Sequence, residues 1–201
     1  MEFIGIFFHL NSLLNFIYIS DFLVYLMGII GSCTVQSLGG KKLTTATKNL
    51  TLTNINVSVS AQASGGIGTK DSGEYSITLP ADTMNFTCSN FSASGKYKVQ
   101  ALSSDAMNTI TNKQYNADFT GHIWSKELSD SNEMESYSFK DGNKTRSGSI
   151  SLVIKSSVDS ATGIITVAAY VHVSVTGSGS YQYTEVENMT ITVPITYQYW
   201  A

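Results

Sequence analysis

The chain has 201 residues, 42% of them hydrophobic, and carries 12 Lys and Arg against 15 Asp and Glu, for a formal net charge of −3. This length suits one globular domain with its own core behind a short N-terminal segment. A nearly neutral chain with one arginine, Arg146, lacks the basic surface that nucleic acid requires, so no nucleic-acid partner is expected.

Residues 1–32 are strongly apolar and contain neither lysine nor arginine. The run Phe22–Gly31 has the length of a signal-peptide core, and residues 1–32 are predicted to be a signal peptide or membrane-targeting segment. The segment lacks the basic region with which signal peptides usually begin. Residues 3–31 are also long enough to span a bilayer as a hydrophobic helix, so an uncleaved signal anchor is an alternative, as is a cleaved secretory signal.

The apolar run ends at Ile30-Gly31-Ser32-Cys33, and this tetrapeptide resembles the lipobox of bacterial lipoproteins. The resemblance implies lipid attachment at Cys33 and a protein held in the cell envelope, at the outer membrane or cell surface. The other cysteine, Cys88, shares the apolar side of an alternating stretch with Met84 and Phe86, which predicts a buried thiol. A Cys33–Cys88 disulfide is the alternative if Cys33 carries no lipid.

After a linker predicted over residues 33–47, residues 48–201 alternate between apolar and polar side chains, as strands with one buried face do. The phase changes within the first strand, 49–60, which predicts a bulge near Thr53-Asn54. In the last strand Pro194 lacks an N–H donor, so an edge position or a bulge is expected. Residues 102–131 are the least regular, with a short helix or loop expected over 101–112. Further strands are predicted over 75–79, 84–88, 133–140, 145–155, 163–176, 181–187 and 189–199.

Turn sequences separate these runs at short intervals, as at Asp141-Gly142-Asn143 and Asp159–Gly163. Successive hairpins of this kind form an antiparallel meander. About nine or ten strands predict an all-β domain, either a β-barrel or a two-sheet β-sandwich, and the meander favours the barrel. The glycine-rich segment 65–68 is interpreted as a flexible turn, because no helix follows it to form a phosphate site.

Three segments carry a resemblance to a known group of proteins: Ile30–Cys33, the strand Gly73–Leu79 and the closing strand Ile191–Tyr197. In pattern and layout the chain resembles the small lipoproteins of gut Bacteroidota that have calycin-like β-barrels. The resemblance implies a barrel at the cell surface whose ligand is apolar or glycan-like. It carries over no binding residues.

Side chains that perform catalysis or bind metals are few and scattered. The three histidines lack zinc-site spacing and there is no cysteine cluster, so no metal or cofactor is predicted. A hydrolase would have to use Asp118, His122, Glu133 and Glu135, and paired carboxylates act on glycosides only when they face each other across a cleft.

Aromatic side chains supply the candidate ligand-binding residues. Rings exposed on a β surface can stack on sugar rings, and Tyr181 and Tyr183 are the tyrosines that are not expected to complete the core. His122 and Trp124, two residues apart, form a second candidate pair.

Taken together, these features favour an exported, lipid-anchored surface module that binds an apolar small molecule, a glycan or a protein. An enzyme is less favoured because no catalytic set is evident. A hydrolase stays an alternative, as does a pore-forming or self-assembling protein whose hairpin 148–175 enters a membrane.

Overall fold

The structure, a computed structural model, describes residues 37–38, 40–61, 66–101, 104–141, 143–176 and 182–201. The chain divides into two units, Met1–Gly40 and Lys41–Ala201. In the first unit the described residues are the short strand β1 (Ser37–Leu38) and Gly40. The predicted targeting segment 1–32 and Cys33 lie outside the described residues.

The second unit consists of strands and turns, and an all-β antiparallel domain is thereby confirmed. The described residues include no apolar helix of membrane-spanning length. The strands described in this unit are β2 (Lys41–Ala61), β3 (Ile67–Asp71), β4 (Tyr75–Thr78), β5 (Thr83–Ala101), β6 (Ser104–His122), β7 (Glu127–Asp141), β8 (Lys144–Val158), β9 (Ile165–Thr176) and β10 (Gln182–Trp200).

These strands form two antiparallel sheets. Sheet I has the order β2-β10-β5-β6, and sheet II has the order β3-β9-β8-β7, with β4 also paired to β9. The sheets do not close into a barrel, so the predicted calycin-like barrel is wrong and the two-sheet arrangement applies. The meander holds only in part: β7, β8 and β9 are successive neighbours, whereas β10 inserts between β2 and β5. Alternation reveals which residues face a core, but it does not reveal which strands are neighbours.

The inner faces of the two sheets share one hydrophobic core. Its side chains come from alternate positions of the strands, as the period of two requires. Fully burying a Val, Leu, Ile, Phe or Met side chain contributes about 1.5–3 kcal/mol to folding, so this core is the main source of stability. The largest fully buried side chains are Phe86, Phe91, Leu50, Leu52, Ile150, Leu152, Ile154, Ile165, Met189, Ile191 and Ile195.

A line of backbone irregularities crosses sheet I and is called the bulge line below. β2 gains one residue against β10 at Asn54, which confirms the predicted bulge, and Asn54 has a φ of 53°. Asn188 of β10 and Asn112 of β6 lie at corresponding irregularities with φ values of 50° and 44°. Asparagine tolerates this left-handed conformation better than most residues because its short polar side chain forms local hydrogen bonds. The bulges bend and twist the sheet at this line.

Pro194 lies in the central part of sheet I, so the predicted edge position is wrong. It pairs with Asn49 of β2, and the register of β10 against β5 shifts between Thr192 and Thr196. The alternative prediction of an irregularity at Pro194 fits this shift. The missing N–H falls where the ladder is already interrupted.

Two segments form strands where the sequence predicts a linker, or a helix or loop. β2 begins at Lys41, within the predicted linker, and Thr44 pairs with Tyr199. β6 runs through 104–122, so the helix or loop expected over 101–112 is wrong. Both segments escape the period-two pattern because they carry few large apolar side chains.

Candidate binding face

The outer face of sheet I, turned away from the core, carries polar side chains aligned across the strands. Thr47 of β2 lies opposite Thr196 of β10, Thr196 opposite Thr87 of β5, and Thr87 opposite Thr120 of β6. All four are exposed, and the Oγ1 atoms of Thr47 and Thr196 are 3.2 Å apart. We call these four residues the threonine row. With neighbouring strands about 4.8 Å apart, the row spans about 14 Å.

Further rows of uncharged polar side chains flank the threonine row. Some outward residues of these four strands lie between the two flanking rows. Among those that the structure describes, Asp118 is the one with a formal charge. One row consists of Thr45, Gln198, Asn85 and His122, and the other of Thr51, Thr192, Ser92 and Gln114.

An exposed tryptophan lies at one edge of this face. Trp124 is in the turn between β6 and β7, and 57% of its surface is accessible. Its ring stacks on that of His122, with 4.8 Å between centroids and 5° between planes. The Ser125 N–H donates to the His122 carbonyl oxygen at 2.9 Å, and the His122 N–H donates to Ser125 Oγ at 3.3 Å. Because His122 belongs to an outer-face row, the stack places the indole beside that face.

Amide side chains continue from the stacked rings across the sheet. Asn85 lies in register with His122, and its Nδ2 donates to Oε1 of Gln198 at 2.9 Å. Both amides are partly exposed, so the face combines a flat aromatic group with hydrogen-bond donors and acceptors. This combination can bind a ligand that has both C–H surface and hydroxyl groups.

The structure brings together two of the four predicted ligand-binding residues, His122 and Trp124. Tyr183 lies on the outer face of β10 beyond the bulge line, in register with Ser60 and Gln100. It is about 50 Å along β10 from Gln198, which belongs to the row that ends at His122, at about 3.3 Å per residue. Tyr183 therefore belongs to a different part of sheet I. Tyr181 and the predicted lipid-attachment residue Cys33 lie outside the described residues.

A second polar cluster lies between the sheets. Oε1 of Glu135 on β7 accepts hydrogen bonds from Tyr115 Oη at 2.8 Å and Lys113 Nζ at 2.5 Å, and Oε2 accepts from Tyr97 Oη at 3.5 Å. The Glu135 side chain is 16% exposed and that of Lys113 is 51% exposed. Burial raises the pKa of Tyr97 and of Tyr115, and the hydrogen bonds to Glu135 and its negative charge raise both further. Both tyrosines therefore stay protonated donors that join β5 and β6 to β7.

The residues considered for a hydrolase do not converge. Asp118 and His122 lie on the outer face of β6, whereas Glu135 points between the sheets. β7 is irregular between Glu133 and Glu135, so Glu133 stays exposed while Glu135 turns inward. A cleft of about 450 Å³ adjoins Glu135. Apart from Glu135, its one charged lining residue among those that the structure describes is Lys113, which is already bonded to the Glu135 carboxylate, so these residues offer no second carboxylate for a hydrolase. Within the described part of the chain, no three acidic, cysteine or histidine side chains form a metal-binding group.

Cys88 is a buried free thiol, as its place in the alternating pattern predicts. Burial raises its pKa to about 11, although a contact with the Asn90 carbonyl oxygen acts in the opposite direction. A thiol with so high a pKa is almost wholly protonated at neutral pH and is a poor nucleophile.

The outer face of sheet II carries charges, as does sheet I beyond the bulge line, where Glu185 and Glu187 of β10 lie opposite Lys98 and Lys96 of β5. His172 Nδ1 lies 2.6 Å from Asp71 Oδ1, and Lys155 Nζ lies 2.5 Å from Glu74 Oε2. Lys155 Nζ also lies 5.1 Å from the ring centroid of Tyr170. The threonine row and its flanking rows therefore differ in charge from both of these regions.

No protein family, no curated protein and no solved structure matches this chain in sequence or fold comparisons. The resemblance to Bacteroidota lipoproteins stays a prediction from the sequence.

Proposed function

We propose that this protein is an exported, lipid-anchored surface module that binds glycans on the outer face of sheet I. The observation that carries the proposal is Trp124, exposed and stacked flat on His122 beside rows of uncharged hydroxyl and amide groups. An aromatic ring packs on the C–H face of a sugar, and hydroxyl and amide side chains bond its hydroxyl groups.

The face is already ordered in the conformation that such a ligand needs. The stack holds the indole in one orientation, and β-branched threonines have few rotamers to lose. Binding therefore costs little side-chain entropy.

An apolar small molecule is a less suitable ligand for the described surfaces. The clefts of about 450 Å³ and 380 Å³ are lined mostly by hydroxyl, amide and charged side chains.

A protein partner is also less favoured. The large exposed apolar side chains of the described residues are Ile67, Met107 and Trp124, which lie on β3, on β6 and in the β6–β7 turn. These scattered residues do not form the contiguous apolar patch typical of a stable protein interface.

A pore-forming role is also less favoured by the packing of the hairpin 148–175. Its inward side chains Ile150, Leu152 and Val171 are fully buried in the shared core. To enter a membrane, this hairpin would have to leave the core and expose the inner face of sheet I.

Replacing Trp124 by alanine is expected to weaken binding to a recognised polysaccharide at least about tenfold, or about 1.4 kcal/mol. Trp124→Phe keeps a ring and should lose less. The measurement is affinity electrophoresis of wild type and variants in gels containing single polysaccharides, followed by titration calorimetry with the best one. The matched control is Met107→Ala, which removes another exposed apolar side chain of sheet I. Equal binding by Trp124→Ala and wild type, or no retention of wild type by any polysaccharide, would refute the proposed function.

Lipid attachment at Cys33 is tested by the intact mass of the full chain expressed in a bacterial host. Wild type is expected to begin at Cys33 and to carry a lipid-sized mass increment that Cys33→Ala lacks. Cys88→Ala is the matched control and should keep the increment, because Cys88 is a buried thiol of the β domain. A mature mass that begins elsewhere, or one that retains the whole N-terminus, would show that the anchor is wrongly assigned.

A further inference from the structure

We infer that the glycan bound by this face is an uncharged linear chain that lies across the strands along the threonine row, with one end at Trp124. The inference rests on the proposed function and specifies the ligand of the same site. Three features of the outer face of sheet I support it: its charge, the direction of its rows and the position of the aromatic stack.

The first feature is the lack of charged groups. Proteins usually bind anionic sugars through arginine or lysine, which pair with carboxylate or sulfate groups. The threonine row and its two flanking rows contain neither residue, and Asp118, next to Thr120 along β6, would repel an anion. Lys48 of β2 donates instead to the Thr78 carbonyl oxygen at 2.9 Å. A neutral ligand is therefore the one that matches this part of the surface.

The second feature is the direction in which hydroxyl groups repeat. Across the strands, each of the four strands supplies one exposed threonine at a regular spacing of about 4.8 Å. Along β10, the two threonines Thr192 and Thr196 are separated by Pro194, whose side chain has no polar atom. Each threonine hydroxyl can donate and accept, so a row of them can bond successive sugar hydroxyls of either orientation. Along β2, the outward residues Thr45, Thr47, Asn49 and Thr51 also carry polar groups, but these repeat every second residue, about 6.6 Å apart. A chain that crosses the strands therefore meets hydrogen-bonding groups at a closer spacing than one that follows them.

The third feature is the aromatic stack, which ends the flanking row next to the end of the threonine row. β6 is the edge strand of sheet I next to β5, and Thr120 on β6 is the final member of the threonine row. His122, two residues further on the same face, supports the exposed indole of Trp124. Two residues of a strand span about 6.6 Å, so a sugar bonded at Thr120 lies close enough to this stack for the next sugar to contact the ring, which provides the apolar contact that the hydroxyl row lacks.

The deciding experiment compares wild type with Thr87→Val/Thr196→Val, which removes two central hydroxyl groups while keeping β-branched side chains. Binding to a linear neutral polysaccharide, such as a glucan, mannan or xylan found to retain wild type, should weaken at least about tenfold, because polar groups of the ligand lose their partners. The matched control is Thr69→Val/Thr78→Val, with two exposed threonines of sheet II, and its affinity should equal that of wild type. Thermal unfolding of each variant verifies that the fold is kept.

The direction of the chain is tested by Thr51→Val/Thr192→Val, which lies one flanking row away on β2 and β10. These two residues lie four positions along each strand from the threonine row, beyond Asn49 and Pro194, so the loss of affinity should be clearly smaller than that of Thr87→Val/Thr196→Val. An equal or larger loss would show that the glycan follows the strands, which contradicts the inferred direction.

The charge of the ligand is tested with polygalacturonate and alginate at low and high salt. Binding of the neutral polymer should be insensitive to salt, and the acidic polymers should not be retained. Tighter binding of an acidic polymer would overturn the inference. If Trp124→Ala abolishes binding while Thr87→Val/Thr196→Val binds normally, this inference fails and the proposed function stands. If wild type binds no polysaccharide, both fail.

Discussion

Replacing Gly121 by alanine is expected to lower the free energy of unfolding by about 3 kcal/mol, the upper end of the usual cost of overpacking a core. Gly121 of β6 lies directly opposite Phe86 of β5, and the ring of Phe86 covers it. A Cβ atom at this position would lie 2.3 Å from Cε1 and 2.4 Å from Cζ of that ring. Phe86 is 1% exposed and packs against Phe119 with ring centroids 5.8 Å apart, so the ring has little space into which to move.

The measurement is denaturant unfolding of Gly121→Ala beside Gly73→Ala, since a Cβ at Gly73 would contact nothing within 4 Å. The Gly73 variant should unfold with a free energy close to that of wild type. In a double-mutant cycle, Phe86→Leu should relieve the clash, so the double variant should be more stable than the sum of the single changes predicts. Additive losses, or equal stability of the two glycine variants, would show that the contact between Gly121 and Phe86 is not limiting.

Removal of the Glu135 carboxylate is expected to lower the free energy of unfolding by about 2 kcal/mol in Glu135→Ala, and by less in Glu135→Gln. Tyr115 is 8% exposed and donates to this carboxylate at 2.8 Å, so in the alanine variant its hydroxyl is left largely buried without its acceptor. Lys113 is half exposed and water can solvate its ammonium group, so loss of the ion pair between Lys113 and Glu135 costs little stability. Glutamine keeps an acceptor oxygen but removes the charge.

The phenol groups report this change directly. Burial and Glu135 raise the pKa of Tyr97 and Tyr115 above the ordinary value of 10.0, so the folded protein holds these protons more tightly than the unfolded chain. Their contribution to stability is therefore full below pH 10.0 and decreases as the pH rises above it. Without the negative charge, Glu135→Gln should form phenolate at a lower pH in an absorbance titration, and its stability should fall less steeply with pH. Identical titration curves for the two proteins would exclude Glu135 as a cause of the raised pKa values.

The features that the sequence predicts correctly are local ones. Strand β9 alternates Val171, Val173 and Val175 with polar residues, and all three valines are fully buried. The phase change at Asn54 similarly identifies the bulge, because one extra residue moves every later side chain to the other face. Turn sequences end β7 and β8 where Asp141 and Asp159 indicate.

The order of the strands depends on pairing between distant segments, and here the sequence pattern is not sufficient. β10 reads like an edge strand because of Pro194, yet its inner side chains Ile191, Val193 and Ile195 are all fully buried at the centre of sheet I. β6 was not predicted, although Tyr115, Ala117 and Phe119 alternate with polar residues. The alternation of apolar and polar side chains is visible over 115–121. Over 104–114 it is weak, because small and polar side chains predominate there.

Some residues of the candidate site can likewise be identified from the sequence, whereas others require the pairing of the strands. His122 and Trp124 are identifiable from the sequence because they are aromatic and only two residues apart, although their stacking is not. The threonine row has one member on each of four strands, and single threonines in a threonine-rich chain carry no signal until the register of the strands is known. The partners of Glu135 are hidden for the same reason, since Tyr97 and Tyr115 lie on different strands of the opposite sheet.

The central position of β10 also determines when this protein can fold during synthesis. β2 and the hairpin β5–β6 have no hydrogen-bonded contact with each other in sheet I except through β10. A ribosome that has completed β2 to β9 has therefore made every strand of sheet II but only separated pieces of sheet I. We therefore expect the nascent chain to stay incompletely folded until residues up to Trp200 have emerged.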